Sequence, residues 1–428
     1  MNMKVLLKLI LFVGMISLVG GKETSANGSL QAQINAVPAG GTLKIVAGTY
    51  QEQIVLNKPI VLEAENGTVL KACTSKPAIT IKGKSVTVKG IQISSCKKDK
   101  STAVIKMSGK NHHLEDVTLK MWKSGINLDK VEKTSFRNLR LTGNGKGNGF
   151  DLWDSHHNTF EGIKIEHVQD GFYLENSHNN TFTGNTISDS RYGLHVMFSD
   201  NITAIKNVSK RNYTGAMVMG TNHSVIAENQ LLENNQNVNA QGLLLYDVHN
   251  STVHHNRITD NRVGMFIEDS SGNEITDNEI TANFVGAQIN RIENNVITGN
   301  AFISNVNDFQ ATDGTDNTIQ HNYWDAAMKL DIDGDGKSNL PHSADPFFLN
   351  LARETPPYQL FFQHPGMMLL QKMLKSPANM LVTDQEPLMK NELNSQRQSE
   401  QPETIFWGIC LSMIFVSLLV IYFGRKRT

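Results

Sequence analysis

From Gly125 onward apolar and polar residues alternate with a period of two, in short runs such as NGFDLWD, DGFYLEN, YGLHVMF, TGAMVMG, QGLLLYD and VGMFIED. That alternation predicts half-buried strands rather than a helical stripe. The glycines within these runs recur at Gly125, Gly149, Gly171, Gly193, Gly215, Gly242, Gly264 and Gly286, in steps of 24, 22, 22, 22, 27, 22 and 22 residues. An asparagine keeps the same rhythm at Asn185, Asn207, Asn229, Asn256, Asn278, Asn300 and Asn322. Two markers in one register mean that each unit is a structural coil.

A coil of this length, with several short strands and polar turns, predicts an all-β fold. The matching architecture is a single-stranded right-handed parallel β-helix, a pectate-lyase-like solenoid whose coils stack about 4.8 Å apart over a continuous core. Asparagines at one turn position would then form a hydrogen-bonded ladder. A leucine-rich repeat needs a leucine consensus that is missing, and a propeller needs about 40 residues per unit. Upstream, TLKIVAGTY, QIVLNKPIVLEA and SVTVKGIQI continue the strand pattern more loosely. Leu30, Ile34 and Val37 have helical spacing, which predicts a short helix capping the open end.

The ends read differently. Lys4 and Lys8 border an apolar run from Leu9 to Val19 that leads to Thr24-Ser25-Ala26, so residues 1–26 are expected to be an export signal. Residues 27–324 form the β-helix, 325–384 an acidic loop and a helical cap, and 385–404 a polar tether. Residues 405–423 carry no charge and are followed by Arg425, Lys426 and Arg427. They predict a transmembrane helix with a cytoplasmic tail at 424–428, and therefore a single-pass protein of the cell membrane with its β-helix outside the cytoplasm. The balance of 40 Lys plus Arg against 41 Asp plus Glu gives no reason to expect a nucleic-acid partner.

Alternation also assigns directions. The first and third residues after each glycine are apolar and point inward, as Phe150 and Leu152 or Leu194 and Val196 do. The outward pairs are Asp151 and Trp153, Tyr173 and Glu175, His195 and Met197, Met217 and Met219, Leu244 and Tyr246, Phe266 and Glu268, Gln288 and Asn290. His195, Met197, Met217 and Met219 thus form a thioether and imidazole set suited to a soft cation, which outside the cytoplasm points to Cu(I). An apolar partner surface is the competing reading, because Trp153, Tyr173, Leu244, Tyr246 and Phe266 extend the stripe.

Three histidine pairs, His112 and His113, His156 and His157, His254 and His255, are expected in solvated turns. Cys73 and Cys96 lie one coil apart in an oxidising compartment, which predicts a disulfide. Asp331, Asp333 and Asp335, with Gly334 and Gly336, resemble the start of a calcium loop, but the twelfth position is His342 rather than glutamate, which leaves a shorter, partial calcium site or a plain acidic turn.

Four stretches in this order carry a family resemblance: Arg191-Tyr192-Gly193-Leu194-His195-Val196-Met197-Phe198-Ser199, the coil ending Val218-Met219, Asn322-Tyr323-Trp324-Asp325 running into DIDGDG, and Glu386-Pro387-Leu388-Met389. Together they resemble the NosD family of exported β-helix proteins, which serve nitrous oxide reductase maturation in denitrification. The resemblance implies copper delivery or insertion into a copper-sulfide centre. Its partners would be an ABC-type ATPase and membrane permease, nitrous oxide reductase itself and a copper chaperone. It also implies that His195, Met197 and Met219 contact the metal or a partner, while Met217 is added by geometry.

The chief alternative is a carbohydrate-active enzyme, a polyuronate lyase or epimerase, with Asp151, Tyr173, Glu175 and His195 as acid–base groups. A polyanionic substrate would need Lys or Arg beside them, and none of the fourteen outward residues is basic. The expectation is therefore a metallochaperone-like accessory protein with no catalytic activity; a purely adhesive scaffold is the third option.

Overall fold

The computed structural model describes residues 28–345, apart from 74–75, 96–102 and 313, together with parts of the stretch from 351 to 393. The expected export signal and membrane helix lie outside the described residues, as does most of the expected helical cap. Among the described residues no helix is long and apolar enough to cross a membrane. The chain divides into two compact units, Met1–Gln169 and Asp170–Thr428.

The first unit opens with the helix Leu30–Ala36. Its first turn is capped by the Ser29 hydroxyl, which accepts from the Ala32 amide, and it buries Leu30 and Ile34. Val37, the third residue of the predicted stripe, is already extended and closes the helix. The chain then winds through three parallel sheets, one strand of each per coil. The first runs from Thr42–Ile45 to Thr159–Glu161, the second from Thr49–Tyr50 to Lys164–Glu166, and the third from Ile54–Leu56 to Phe150–Trp153.

The second unit repeats this plan. Its first sheet runs from Thr181–Thr183 to Thr318–Gln320, its second from Thr186–Ser188 to Tyr323–Trp324, and its third from Asp170–Glu175 to Asn307–Thr312. Both units are parallel β-solenoids, and the expected inward residues are buried, among them Phe150, Leu152, Phe172, Leu174, Val196, Val218, Leu245 and Ile267.

The two repeated markers have separate physical causes. A Cβ on Gly193 would stand 2.0 Å from the Ser209 Oγ and 2.3 Å from the Gly215 carbonyl oxygen, so the coils can approach only where no side chain exists. The asparagines follow residues held in the left-handed region, such as Lys206, Glu228, His255 and Asp277, which turn the chain between the first and second sheets. Each asparagine Oδ1 then accepts from the backbone amide of the asparagine one coil earlier. These bonds are 2.9 Å from Asn185 to Asn207 and 3.0 Å from Asn278 to Asn300.

A second ladder, of Asn212, Asn234, Asn261, Asn283 and Asn305, stands at the corner between the second and third sheets. Its rhythm is as regular, yet only the first ladder was legible as a marker. Asn234 is a buried rung of this ladder, and the extra residues of the 27-residue step form the exposed loop 235–239 that follows it.

At the far end Asp384 stands where the next ladder asparagine would be. Its carboxylate accepts from the amides of His321 and Asn322 and from the Trp324 indole N–H at 3.0 Å. The segment Glu386-Pro387-Leu388-Met389, expected in the tether, packs onto this end instead. The amide of Leu388 donates to the Asn322 carbonyl and that of Met389 to the Gly336 carbonyl, while Glu386 meets His321 at 2.9 Å. Cys73 is disulfide-bonded; its expected partner Cys96 is outside the described residues.

Replacing Asn278 by alanine removes the acceptor from two buried donors of Asn256, its amide and its Nδ2. Chemical unfolding should show a loss of about 2–4 kcal/mol, whereas Asn235→Ala in the exposed loop should change stability by less than about 0.5 kcal/mol.

Candidate functional site

The third sheet of the second unit places the expected outward residues in two columns. Tyr173, His195, Met217, Leu244, Phe266 and Gln288 share one register position on successive strands. Glu175, Met197, Met219, Tyr246, Glu268 and Asn290 share the second. Neighbouring strands lie about 4.8 Å apart, so His195 stands above Met217 and Met197 above Met219 on one face. The three methionines are half-buried. The Tyr173 hydroxyl donates to Glu175 Oε2 at 2.6 Å and lies 3.7 Å from the Met197 sulfur.

His195 departs from the expected exposure, being only 7% exposed. The rings of Tyr173 and Tyr192 meet it edge-on, with centroids at 5.0 and 4.8 Å. Its Nδ1 is 2.9 Å from Oδ2 of Asp170, a carboxylate with no solvent exposure. Arg191 grips the same carboxylate with both prongs, Nε to Oδ1 and Nη2 to Oδ2, each at 2.8 Å. Burial pushes the Asp170 carboxyl up, but the hydrogen bonds from His195 and Arg191 outweigh it and hold the group below the ordinary range. The same contact with Asp170 raises the Arg191 guanidinium. A carboxylate at Nδ1 assigns the proton to that nitrogen in the neutral imidazole and leaves the Nε2 lone pair for a metal or a proton.

Asp170, Arg191 and Tyr192 were not among the expected site residues, because alternation from each glycine onward does not reach them. Asp170 is the first residue of its strand and pairs with Tyr192, and Arg191 lies just before the next strand. Phe198 was not among them either, for another reason. It occupies the left-handed turn position, φ 47°, that Asn176, Gly220, Asp247 and Asp269 fill on other coils, and it is 53% exposed. A bulky residue there costs about 1–2 kcal/mol, and its ring edge lies over Gly220, where an added Cβ would be 2.7 Å away. With Tyr246 it adds an exposed aromatic beside the methionines; Leu244 and Phe266 are half-buried.

Other expected residues fall elsewhere. Trp153 is exposed in the first unit, where Asp151 accepts from Asn148. His112 is not a solvated turn residue: it is buried, its Nδ1 accepts from the Val86 amide, and burial lowers its pKa. Asp331, Asp333 and Asp335 do converge, with ligand-capable oxygens within 4.8 Å of one another. Both Asp331 oxygens already accept from the amides of Gly334 and Gly336, and His342, at the twelfth position, packs against the Trp324 ring. The resemblance to a calcium loop therefore ends at three carboxylates.

Residues 137–334 match the family described as periplasmic copper-binding protein (NosD). That segment belongs to the NosD family. No curated protein matches the sequence. Among solved structures this chain is similar to the periplasmic alginate epimerase AlgG, with a TM-score of 0.54 and 12% identity over 69% of this chain and 82% of that one. It is also similar to a family 28 exopolygalacturonase of Yersinia enterocolitica, with a TM-score of 0.51 and 11% identity over 67% and 74% of the two chains. At such identities the likeness is one of fold.

These comparisons correct the expectation that the chain has no catalytic activity, since the folds it matches are those of enzymes. The physical ground for that expectation also fails, because Arg191 supplies the basic residue beside His195 that the outward columns lacked.

Because the folded Asp170 pKa is depressed, its contribution to stability is complete above the unfolded value, about 3.9, and is lost as pH falls through the lower folded value. Unfolding followed from pH 7 to pH 2 should show this acid-side loss in the wild type. Asp170→Asn should be less stable at pH 7 and show a shallower acid-side decline.

Proposed function

We propose that the outer face of the third sheet takes up copper as cargo, as Cu(I), among His195, Met197, Met217 and Met219. The observation that carries this reading is the register that stacks His195 on Met217 and Met197 on Met219, with Asp170 holding Nδ1 and leaving Nε2 for the ion. Thioethers with one imidazole suit a soft monovalent ion better than a hard one, and the family description is consistent with that cargo. Asp170 supports the imidazole from behind, Arg191 neutralises Asp170, and the Tyr173 and Tyr192 rings exclude water from one side.

The exposed rings of Phe198 and Tyr246 beside the methionines provide a contact surface where a client could receive the ion. In this proposal the client is nitrous oxide reductase, an ABC-type ATPase and permease are the membrane partners, a copper chaperone is the donor, and residues 405–423 hold the protein at the membrane.

An anaerobic competitive Cu(I) titration tests the reading. The wild type should hold one ion against a competing chelator, and the Met197→Leu, Met219→Leu double variant should lose it while unfolding at the same temperature. Equal retention by both proteins would remove the ion from this face.

One observation favours a second reading, a uronate-active enzyme: Asp170, Arg191, His195, Tyr173 and Tyr192 together combine a basic residue with acid–base groups. Incubation with polymannuronate or polygalacturonate should then give C5-epimerised or unsaturated products that His195→Ala abolishes. No product from the wild type would end that reading.

A further inference from the structure

One coil of the second unit has a small inward residue on each of its three strands. On Thr203–Ile205 it is Ala204, which stands between Phe182 and Ile226 in one column of the first sheet. On Val208–Lys210 it is Ser209, between Ile187 and Leu231 of the second sheet. On Thr214–Asn222 it is Ala216, between Leu194 and Leu243 of the third. The coil is thus hollow where the coils on either side are filled.

A cavity of about 30 Å³ occupies the gap, with Phe182, Ile187, Leu194, Ile226 and Leu231 around the three small residues. The surfaces facing it show the same gap. Leu194 and Ala216 keep 8% and 6% of their surface although both point inward, whereas Phe172 and Leu243, next in the same column, keep 1% and none. Close-packed interiors leave few voids larger than a water molecule, and this one is about twice the roughly 10–15 Å³ that one water needs.

The polar side chains at its edge have no hydrogen bond to offer a water. The Ser209 hydroxyl donates to the Gly215 carbonyl at 2.7 Å and accepts from Asn212 Nδ2 at 2.9 Å. Asn207 Nδ2 donates to the Phe182 carbonyl and to Asn229 Oδ1, and its own Oδ1 accepts from Asn185. Asn229 Nδ2 donates to the Ala204 carbonyl and to Asn256 Oδ1. The ladder therefore satisfies itself and leaves an apolar interior, and apolar cavities stay dry.

We propose that this cavity is a binding site for a small uncharged molecule without hydrogen-bonding groups, a few heavy atoms in size, such as a dissolved gas. Such an occupant restores the dispersion contacts that the lining atoms lack. Water entering the same space would give up hydrogen bonds with nothing to replace them, and a charged or elongated ligand is excluded by lining and size. The cavity lies on the inner side of the two strands whose outer side carries His195 and Met217. The inference does not rest on that outer face taking up copper.

The test follows the methyl NMR signals of the full chain in lipid nanodiscs as xenon pressure is raised. Saturable shifts should be confined to the methyl groups of Ala204, Ala216, Leu194, Ile187 and Ile226, with Leu128 and Leu152 of the first unit unmoved. Ala204→Ile and Ala216→Leu each restore a side chain that the same column carries one coil away. Both should abolish the xenon shifts while leaving the first-unit signals in place. Ala204→Val, a smaller addition, should weaken the binding and keeps the test readable if the larger substitutions do not fold. Wild-type shifts no larger in this coil than in the first unit, shifts unchanged in the folded variants, or long-lived water detected against the Ala204 and Ala216 methyls would overturn the proposal.

Discussion

Adjacent coils approach one another at points that leave no room for a side chain. In the second unit the carbonyl of one repeat glycine sits where the Cβ of its neighbour would be, as between Gly193 and Gly215 or Gly264 and Gly286. Buried asparagine amides bond across the same spacing. These two contacts fix the register of the second unit's coils, because a slip by one residue would break a ladder and turn the apolar set outward. The site depends on that register, since only strict stacking brings residues 22 apart in sequence to within one strand spacing.

The same constraint explains how a charged cluster can be buried at the edge of an apolar solenoid. Asp170 lies just before Gly171, where the chain enters the third sheet, and Arg191 sits one coil later in the same bend. A buried carboxylate is tolerable only when its lone pairs are filled, and Arg191 and His195 fill them. The outcome is an imidazole of fixed orientation stacked on Met217, next to the column that holds Met197 and Met219. The strain at Phe198 points the same way: it takes the left-handed turn that Asn176, Gly220, Asp247, Asp269 and Arg291 take on other coils, and an exposed phenylalanine there is better explained by what it touches than by folding.

The repeat was legible in the sequence because alternation, glycine and asparagine each report a different contact and all three keep one period. The outward columns followed from alternation alone, so His195, Met197, Met217 and Met219 could be placed without a structure. Alternation does not describe the bends. Asp170, Arg191 and Tyr192 lie in or beside one, and their convergence on His195 depends on how the chain enters the sheet. The closing role of Asp384 was hidden because it replaces an asparagine about 60 residues beyond the last rung. The segment after it looked like tether because it is polar, yet its backbone completes hydrogen bonds that the last coil would otherwise leave open.

The central claim is that the ordered face of His195 and the methionines is a soft-metal site. X-ray absorption at the copper edge of the Cu(I)-loaded protein addresses it most directly. The account predicts sulfur neighbours together with a single imidazole nitrogen, and loss of the sulfur signal when Met197 and Met219 are replaced by leucine. A spectrum of nitrogen and oxygen neighbours alone, or one unchanged by those substitutions, would contradict it.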